Sequence, residues 1–404
     1  MKSKVALFLV FSLVLVWTAG LDQALASQAG DYIIVLKDSV ASPQQVAIEM
    51  SGKHGLEVSE SYSHALKGFS AKVPAGKLAA IKSDARVKFV SEDRGISADA
   101  QILPTGINRT DAELNLINKG TGIGVAVIDT GIDLSHPDLA AHVISGKNCV
   151  RGSKKSANDD NGHGSHVAGT IGAIDNTIGV VGEAPAVTLV AVKVLDARGS
   201  GSWSSVICGI DWVTANAATY NIKVANMSLG GSGSSDNNCG NTNSDALHQA
   251  ICRSTAAGVT YVVAAGNESD NASNHVPAAY DDTVITVSAL ADSDGKAGGL
   301  GAATSYGADD TFASFSNFGP VVDIAALGVS IYSAYKSGGY ATLSGTSMAT
   351  PHVAGGAALY IKSHPAASWT EVRDGLKALA EPLGAGHTDP SGKHPEPVLK
   401  ANAL

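Results

Sequence analysis

Two patterns of apolar and polar positions divide the chain. Between residues 31 and 93 the apolar runs are short. "LEVSESYS" (56–63) and "GFSAKVP" (68–74) alternate apolar with polar, the period of half-buried strands. "DYIIVLK" (31–37) and "VKFVSED" (87–93) read as strands on either side of them. "SPQQVAIEMSGKHG" (42–55) reads as a helix, with Ser42 as N-cap, Pro43 at the first position and Gly55 at the end. "AGKLAAIKSDA" (75–85) reads as a second helix. Strand, helix, strand, strand, helix, strand is the order of a split βαβ sandwich, a small ferredoxin-like α+β domain. A stretch of about 60 residues without a cysteine is expected to be marginally stable alone. A polar linker, "RGISADAQ" (94–101), follows.

From about residue 121 the runs become apolar on both faces: "GVAVIDTGI", "HVISGKNCV", "TLVAVKVLD", "KVANMSLG", "GVTYVVAAGN" and "TVITVSAL". Helical stretches such as "SWSSVICGIDWVTANAA" and "SDALHQAICRSTAAG" separate them. This predicts a doubly wound α/β domain, its mostly parallel sheet covered on both sides. In such sheets ligands bind beyond the carboxyl ends of the strands, where Asp129, Asn226 and Asn267 fall. The tail 387–404, "HTDPSGKHPEPVLKANAL", reads as loosely held.

The first residues add an export signal. Lys2 and Lys4 precede the apolar run "VALFLVFSLVLVW" (5–17), and "ALA" (24–26) is a small-x-small cleavage site, so cutting is expected after Ala26. The run is short of the ~20 residues that a membrane span needs, so no membrane association is expected after its removal. The domain reading is therefore signal 1–26, a small domain with its linker 27–100 and a main domain 101–404. With 44% apolar and 16% charged residues and 45 glycines, the 404-residue chain is soluble and rich in turns. A net charge of −9 argues against a nucleic-acid partner, which needs clustered Lys and Arg. The four cysteines, Cys149, Cys208, Cys239 and Cys252, allow three pairings. Cys239 and Cys252 flank a short loop and a helix start, which favours that pair and leaves Cys149 for Cys208; the other pairings stay open. There is no C-x-x-C to suggest a zinc or redox motif.

Three glycine-rich segments carry reactive side chains: Asp129 in "VAVIDTGIDLSHPDL", His163 in "DDNGHGSHVAGT" and Ser347 in "SGTSMATPHVAGG". A serine hydroxyl becomes a useful nucleophile when an imidazole takes its proton, and the imidazole needs a carboxylate to fix its tautomer. Asn267 in "AAGNESD", with the Ser347 amide, could bind the oxyanion. Each residue has a plainer reading: Asp129 as a turn cap, His163 as a buried structural histidine, Ser347 as a helix N-cap, Asn267 as a turn residue. His136 and His352 read as structural, and Asp160 as fixing the "NGHG" loop. "NRT", "NMS", "NES" and "NAS" fit the N-glycosylation pattern, and Asn226 and Asn267 among them fall at the presumed cleft.

The order Asp, His, Ser, with "DTGID…HPDL", "NGHGSHVAGT", "AAGN" and "GTSMATPHVAG" in sequence, resembles the subtilisin-like serine proteases over about 121–380. The cysteines and "ARGSGSW" lean toward the proteinase K branch. The resemblance implies a secreted serine endopeptidase, made as a self-processing zymogen, with Asp129, His163 and Ser347 as triad and Asn267 as oxyanion donor. It makes 31–93 an inhibitor-like, chaperone-like propeptide, with a cut within 95–101. It assigns Gly199, Ser200, Gly201 and Ser202 to one substrate-binding edge, and Ser228, Leu229, Gly230 and Gly231 to the other. It assigns Ala264, Ala265 and Gly266 to the wall of a pocket for an apolar or aromatic side chain before the scissile bond, and Trp203 to a surface further along. It implies structural calcium at Asp323, with backbone carbonyls of "PAAYDDTV" as co-ligands, although that stretch carries an extra residue here. Protein or peptide substrates, the propeptide as intramolecular inhibitor and a monomer are the expected partners and state. Ser165 departs from the family's usual Thr. Two rival readings are a catalytically silent binding protein of the same fold and an esterase using the same triad.

Overall fold

The structure, a computed structural model, describes residues 29–93, 100–152 and 156–404. The expected export signal (1–26), and most of the linker in which the cut is expected, lie outside the described residues. The chain forms two compact units that divide after residue 98.

The first unit runs β1 (Gly30–Leu36), α1 (Pro43–His54), β2 (Glu57–Tyr62), β3 (Gly68–Val73), α2 (Leu78–Lys82) and β4 (Val87–Glu92). Its sheet is antiparallel with strand order β2-β3-β1-β4. Ser42 Oγ accepts the Gln45 N–H at 3.3 Å, Pro43 sits in the first turn and Gly55 closes α1 in the left-handed region. One core, including Ile34, Met50, Phe69 and Ile81, holds the unit together. The second helix is much shorter than the 75–85 read from sequence. Gly76 stands at φ 76°, outside helical space, and no side chain caps the start.

The second unit runs α3 (Thr105–Thr110), β5 (Gly124–Asp129), β6 (Val143–Asn148), α4 (His163–Gly172), β7 (Thr188–Lys193), α5 (Trp203–Asn216), β8 (Ile222–Met227), β9 (Gly231–Ser232), α6 (Ala246–Ala256), β10 (Thr260–Ala264), β11 (His275–Val276), β12 (Val284–Ala291), β13 (Thr311–Phe312), β14 (Ile324–Leu327), β15 (Ile331–Tyr335), β16 (Gly339–Leu343), α7 (Thr346–Ser363) and α8 (Trp369–Leu379). The main sheet has eight strands in the order β13-β12-β10-β8-β5-β7-β6, with β14 also beside β12. Only β13 runs antiparallel to its neighbour. Residues of β5 alternate between two cores. Val125 and Val127 pack on the side of α4 and α7, Ala126 and Ile128 on the side of α5 and α6. This is why the strand is apolar at every position. The strand order reverses at β5, so its carboxyl end opens at the switch point where doubly wound sheets bind ligands.

The tail is not loosely held, contrary to the reading of 387–404. Val398, Leu399 and Ala401 are fully buried. Val398 exchanges backbone hydrogen bonds with Glu381, and Leu399 donates to the Ala325 carbonyl. The polar "HTDPSGKHPEP" hides a few apolar residues, too sparse to show a period, that fill a groove beside β14. An ion cluster ties this end to the start of the unit. Fully buried Arg109 meets Asp310 at 2.9 Å, Asp292 at 3.1 Å and Glu381 at 2.6 Å. Disulfides join Cys149 to Cys208 and Cys239 to Cys252, with Cα–Cα distances of 6.0 and 5.8 Å.

Candidate active site

Asp129 is the last residue of β5 and is fully buried. His163 is the first residue of α4, and its Nδ1 lies 2.8 Å from Asp129 Oδ1. The two glycines that flank it explain the spelling "GHG". Gly162 stands at φ 114°, where a Cβ would run into the Tyr335 ring, and a Cβ at Gly164 would collide with the Gly131 carbonyl. The helix start can therefore approach the strand end only with glycine on both sides of the histidine.

A second buried carboxylate fixes this pair. Asp159 accepts from Thr130 Oγ1, Asn161 N and Gly162 N at 2.9 Å each through one oxygen. Its other oxygen accepts from the N–H and hydroxyl of Ser165 at 2.9 and 2.7 Å. One side chain thus ties the residue after Asp129 to the residues around His163. The sequence reading gave this role to Asp160, but Asp160 instead pairs with the buried Lys193 Nζ at 2.6 Å. Lys193 also donates to the Thr130 carbonyl at 2.6 Å, bracing the same turn from the other side. Two adjacent aspartates left no pattern to tell them apart. Burial acts to lower the His163 pKa, but the charge and hydrogen bond of Asp129, joined by the Asp159 charge, outweigh it and hold the imidazole above its ordinary value.

Ser347 is the second residue of α7 and half-buried; the capping position belongs to Gly345, so Ser347 is not the N-cap. Its hydroxyl donates to the Ser228 carbonyl at 3.3 Å, while Ser228 Oγ donates to the Ser347 carbonyl at 2.8 Å. The structure contains no hydrogen bond between His163 and Ser347; such contacts often tighten only when substrate is bound. Asn267, three residues beyond β10, accepts the Thr346 N–H at 2.8 Å and the Thr346 hydroxyl at 3.0 Å through Oδ1. That fixes the amide by its oxygen and leaves its NH₂ pointing away from those donors. Asn226 is instead fully buried, its amide 3.0 Å from Ser228 Oγ.

A cleft of about 820 Å³ is lined by His163, Gly199, Ser200, Gly201, Ser202, Trp203, Ser228, Leu229 and Gly230, among others. Leu229 and Gly230 also line a smaller pocket of about 250 Å³, shared with Gly231, Ala264, Ala265, Gly266, Asn267 and Ser347. Gly231 is paired with Val276 in the short β9–β11 ladder. Glu268 and His275 line the smaller pocket as well, and sequence reading missed both. His275 lies on a two-residue strand with no motif around it, and pairing with Ser232 of β9 brings it there. His136 and His352 are fully buried. His136 Nε2 meets the Gly339 carbonyl at 2.8 Å, and His352 lies against Gly106.

Residues 120–392 match the model of the Subtilase family, and residues 31–99 that of the Peptidase inhibitor I9. The chain belongs to the subtilase family. It is 37% identical over 394 residues to Subtilisin NAT of Bacillus subtilis subsp. natto, covering 95% of both chains. It is 40% identical over 350 residues to an extracellular serine proteinase of Thermus sp. (strain Rt41A), covering 84% of this chain and 77% of that one. Among solved structures it is similar to a cold adapted subtilisin-like serine proteinase, with TM-score 0.59 and 35% identity over 75% of this chain and 99% of the other. This subtilase is a subtilisin-like serine endopeptidase with an I9-type propeptide domain. No helix among the described residues is long and apolar enough to cross a membrane.

Structural calcium is general among subtilisins, and buried Asp323, the aspartate expected to hold it, already has partners among its neighbours. One Asp323 oxygen accepts the Thr286 N–H at 3.0 Å. The other faces Lys377 Nζ at 3.5 Å and Arg373 Nε at 3.8 Å. The Ala278 carbonyl, in the stretch expected to supply co-ligands, accepts the Thr286 hydroxyl at 2.9 Å. Calcium needs six or more oxygens, of which the Asp323 carboxylate can supply at most two. Burial pushes the Asp323 carboxyl up to about 6 despite Lys377 and Arg373.

Proposed function

We propose that this subtilase hydrolyses peptide bonds through Asp129, His163 and Ser347, with Asn267 as oxyanion donor. The observation that carries the reading is the 2.8 Å Asp129–His163 pair opening onto a cleft continuous with the pocket that holds Ser347 and Asn267. A substrate strand lies extended between residues 199–203 and 228–231, held by main-chain hydrogen bonds that tolerate many sequences. In the reaction the Ser347 hydroxyl turns from the Ser228 carbonyl to His163 Nε2. His163 takes its proton as Oγ attacks the substrate carbonyl, and Asp129 holds the resulting imidazolium. The Asn267 NH₂ and the Ser347 N–H, one of the amides a helix leaves unpaired in its first turn, bind the oxyanion. His163 then gives its proton to the leaving amine. Water repeats the sequence on the acyl-enzyme. Specificity is broad, with a preference for apolar or aromatic side chains beside the small wall of Ala264, Ala265 and Gly266. Calcium takes no part in any step.

The chain is made as a secreted precursor, and the small unit serves as folding template and intramolecular inhibitor until the linker is cut by the enzyme itself. Parallel sheets of high contact order form slowly, which gives a template something to do. The test is Ser347→Ala, expected to accumulate at precursor length with no cleavage of casein. N-terminal sequencing that finds the variant already cut at the linker would assign processing to another protease. A fluorophosphonate that labels wild type but not the variant excludes a silent fold. Cleavage of an internal peptide bond separates protease from esterase.

A further inference from the structure

Away from the cleft, four side chains able to ligate a metal converge where the Cys239–Cys252 disulfide closes. The two sulfurs, the His248 imidazole and the Asp282 carboxylate each offer one atom, and these atoms all lie within 4.8 Å of one another. Helix geometry brings part of the set together, since His248 and Cys252 are four residues apart on α6 and share a face. Cys239 stands in the left-handed region at φ 52°, and its N–H donates to Asp282 Oδ2 at 3.1 Å. His248 is fully buried and stacked on the Tyr280 ring at 4.0 Å. Its Nε2 lies 2.7 Å from Asp282 Oδ1. Its Nδ1 faces Asp236 Oδ1 at 3.3 Å without hydrogen-bond geometry, an unsatisfied buried nitrogen. An imidazole that offers one nitrogen to a cluster of ligands, with a carboxylate behind the other, has the outer-shell arrangement of metal-binding histidines.

We propose that, when this disulfide is reduced, Cys239, Cys252, His248 and Asp282 bind one zinc-class divalent ion. A thiol or phosphine reductant supplies two electrons, the S–S bond breaks, and two protons complete the thiols. The ion then displaces both thiol protons and is held by two thiolates, one neutral imidazole nitrogen and one carboxylate oxygen. Tetrahedral zinc, with bonds of about 2.0–2.3 Å, sets its ligand atoms ~3.3–3.8 Å apart, within the present spread. Two thiolates select zinc, cobalt or cadmium over calcium and magnesium. Reoxidation by a small-molecule disulfide reverses the exchange: two electrons pass from the sulfurs to that disulfide, which is reduced to two thiols, the Cys239–Cys252 bond re-forms and the ion is released. The loop that follows β9 is thus tied to α6 by a covalent bond in oxidising surroundings and by a metal in reducing ones.

The test uses the full chain carrying Ser347→Ala, so that self-cleavage does not intervene, treated with a phosphine reductant and titrated with cobalt(II). The expected result is one cobalt per chain, with the intense visible bands of tetrahedral cobalt and a near-ultraviolet thiolate charge-transfer band, both lost on adding one equivalent of zinc. The oxidised chain shows neither. Cys239→Ser leaves one thiolate, so the charge-transfer band falls to about half per bound cobalt and binding weakens about 100-fold or more. Asp236→Asn, which leaves every ligand in place, weakens it about 10–100-fold. The proposal is overturned if the reduced chain takes up no cobalt, whether it stays folded or unfolds. It is also overturned if the spectrum is unchanged by Cys239→Ser, which would assign the metal to Cys149 and Cys208. If reduction unfolds the chain and cobalt still binds, equal affinity with Asp236→Asn shows thiolates in an unfolded chain and sinks the site.

Discussion

The imidazole half of the cleft and the hydroxyl half are held in different ways. Asp129 and His163 meet at 2.8 Å under a buried web in which Asp159 accepts five hydrogen bonds and Lys193 braces the Thr130 carbonyl. Ser347 and Asn267 stand on the more exposed side, steadied by the reciprocal bonds with Ser228 and by Thr346. On the proposed mechanism, the half that holds charge is thus fixed before substrate arrives. The half proposed to supply the nucleophile is steadied by fewer side-chain hydrogen bonds, from Ser228 and from buried Thr346. Preset electrostatics cost no reorganisation during the reaction, whereas a nucleophile needs a small freedom to reach both base and carbonyl.

Four substitutions probe that division, and the largest effect should come from the preset half. Asp129→Asn leaves the shape but reverses the preferred tautomer of His163, so kcat should fall about 10⁴-fold at neutral pH with KM little changed. A loss of tenfold or less in a steady-state assay would mean that Asp129 is a turn cap. On the other half, Asn267→Ala should lower kcat by ~10²–10³ while the protein expresses and melts normally; unchanged turnover of casein removes it from the mechanism.

Asp159→Asn tests whether the second carboxylate acts through charge as well as shape. With His163 as the proposed base, which must be neutral to work, activity should rise as pH rises through its pKa. Asp129 and Asp159 both raise that pKa and therefore move the acid limb of kcat/KM to higher pH. Removing the Asp159 charge should shift the limb to lower pH and reduce thermal stability; a limb that stays put would reduce Asp159 to a structural anchor. The smallest effect is expected for Ser165→Thr. The hydroxyl that donates to Asp159 and accepts the Asp133 N–H at 2.9 Å is retained, so stability should stay within about 0.5 kcal/mol and kcat/KM within about threefold.

The cleft's elements were readable because they obey local rules. Continuous apolar runs mark a sheet covered on both faces, and β5 shows why, with successive residues in opposite cores. The glycines around His163 and the small residues ahead of Ser347 are legible as places where backbone must approach closely. The α8 start was equally legible and went unread: Ser368 and Glu371 form a capping box there. Less legible were features that depend on partners far away in sequence. Nothing local separates Asp159 from Asp160, or reveals that Asp323 faces Lys377 and Arg373. The tail looked loose because its polarity is local, while its burial against β14 and its link to Arg109 through Glu381 are long-range.

By itself, the order of residues determined the two-domain plan, the strand and helix periods and the side chains proposed to carry the chemistry. Each of these is set by the spacing of neighbours along the chain. Tertiary structure alone decided which carboxylate braces which loop, which way the Ser347 hydroxyl turns, which polar groups line the pocket and what surrounds each cysteine. Those outcomes depend on distances between segments far apart in sequence, and only the packed sheet and its helices bring such segments within hydrogen-bonding range.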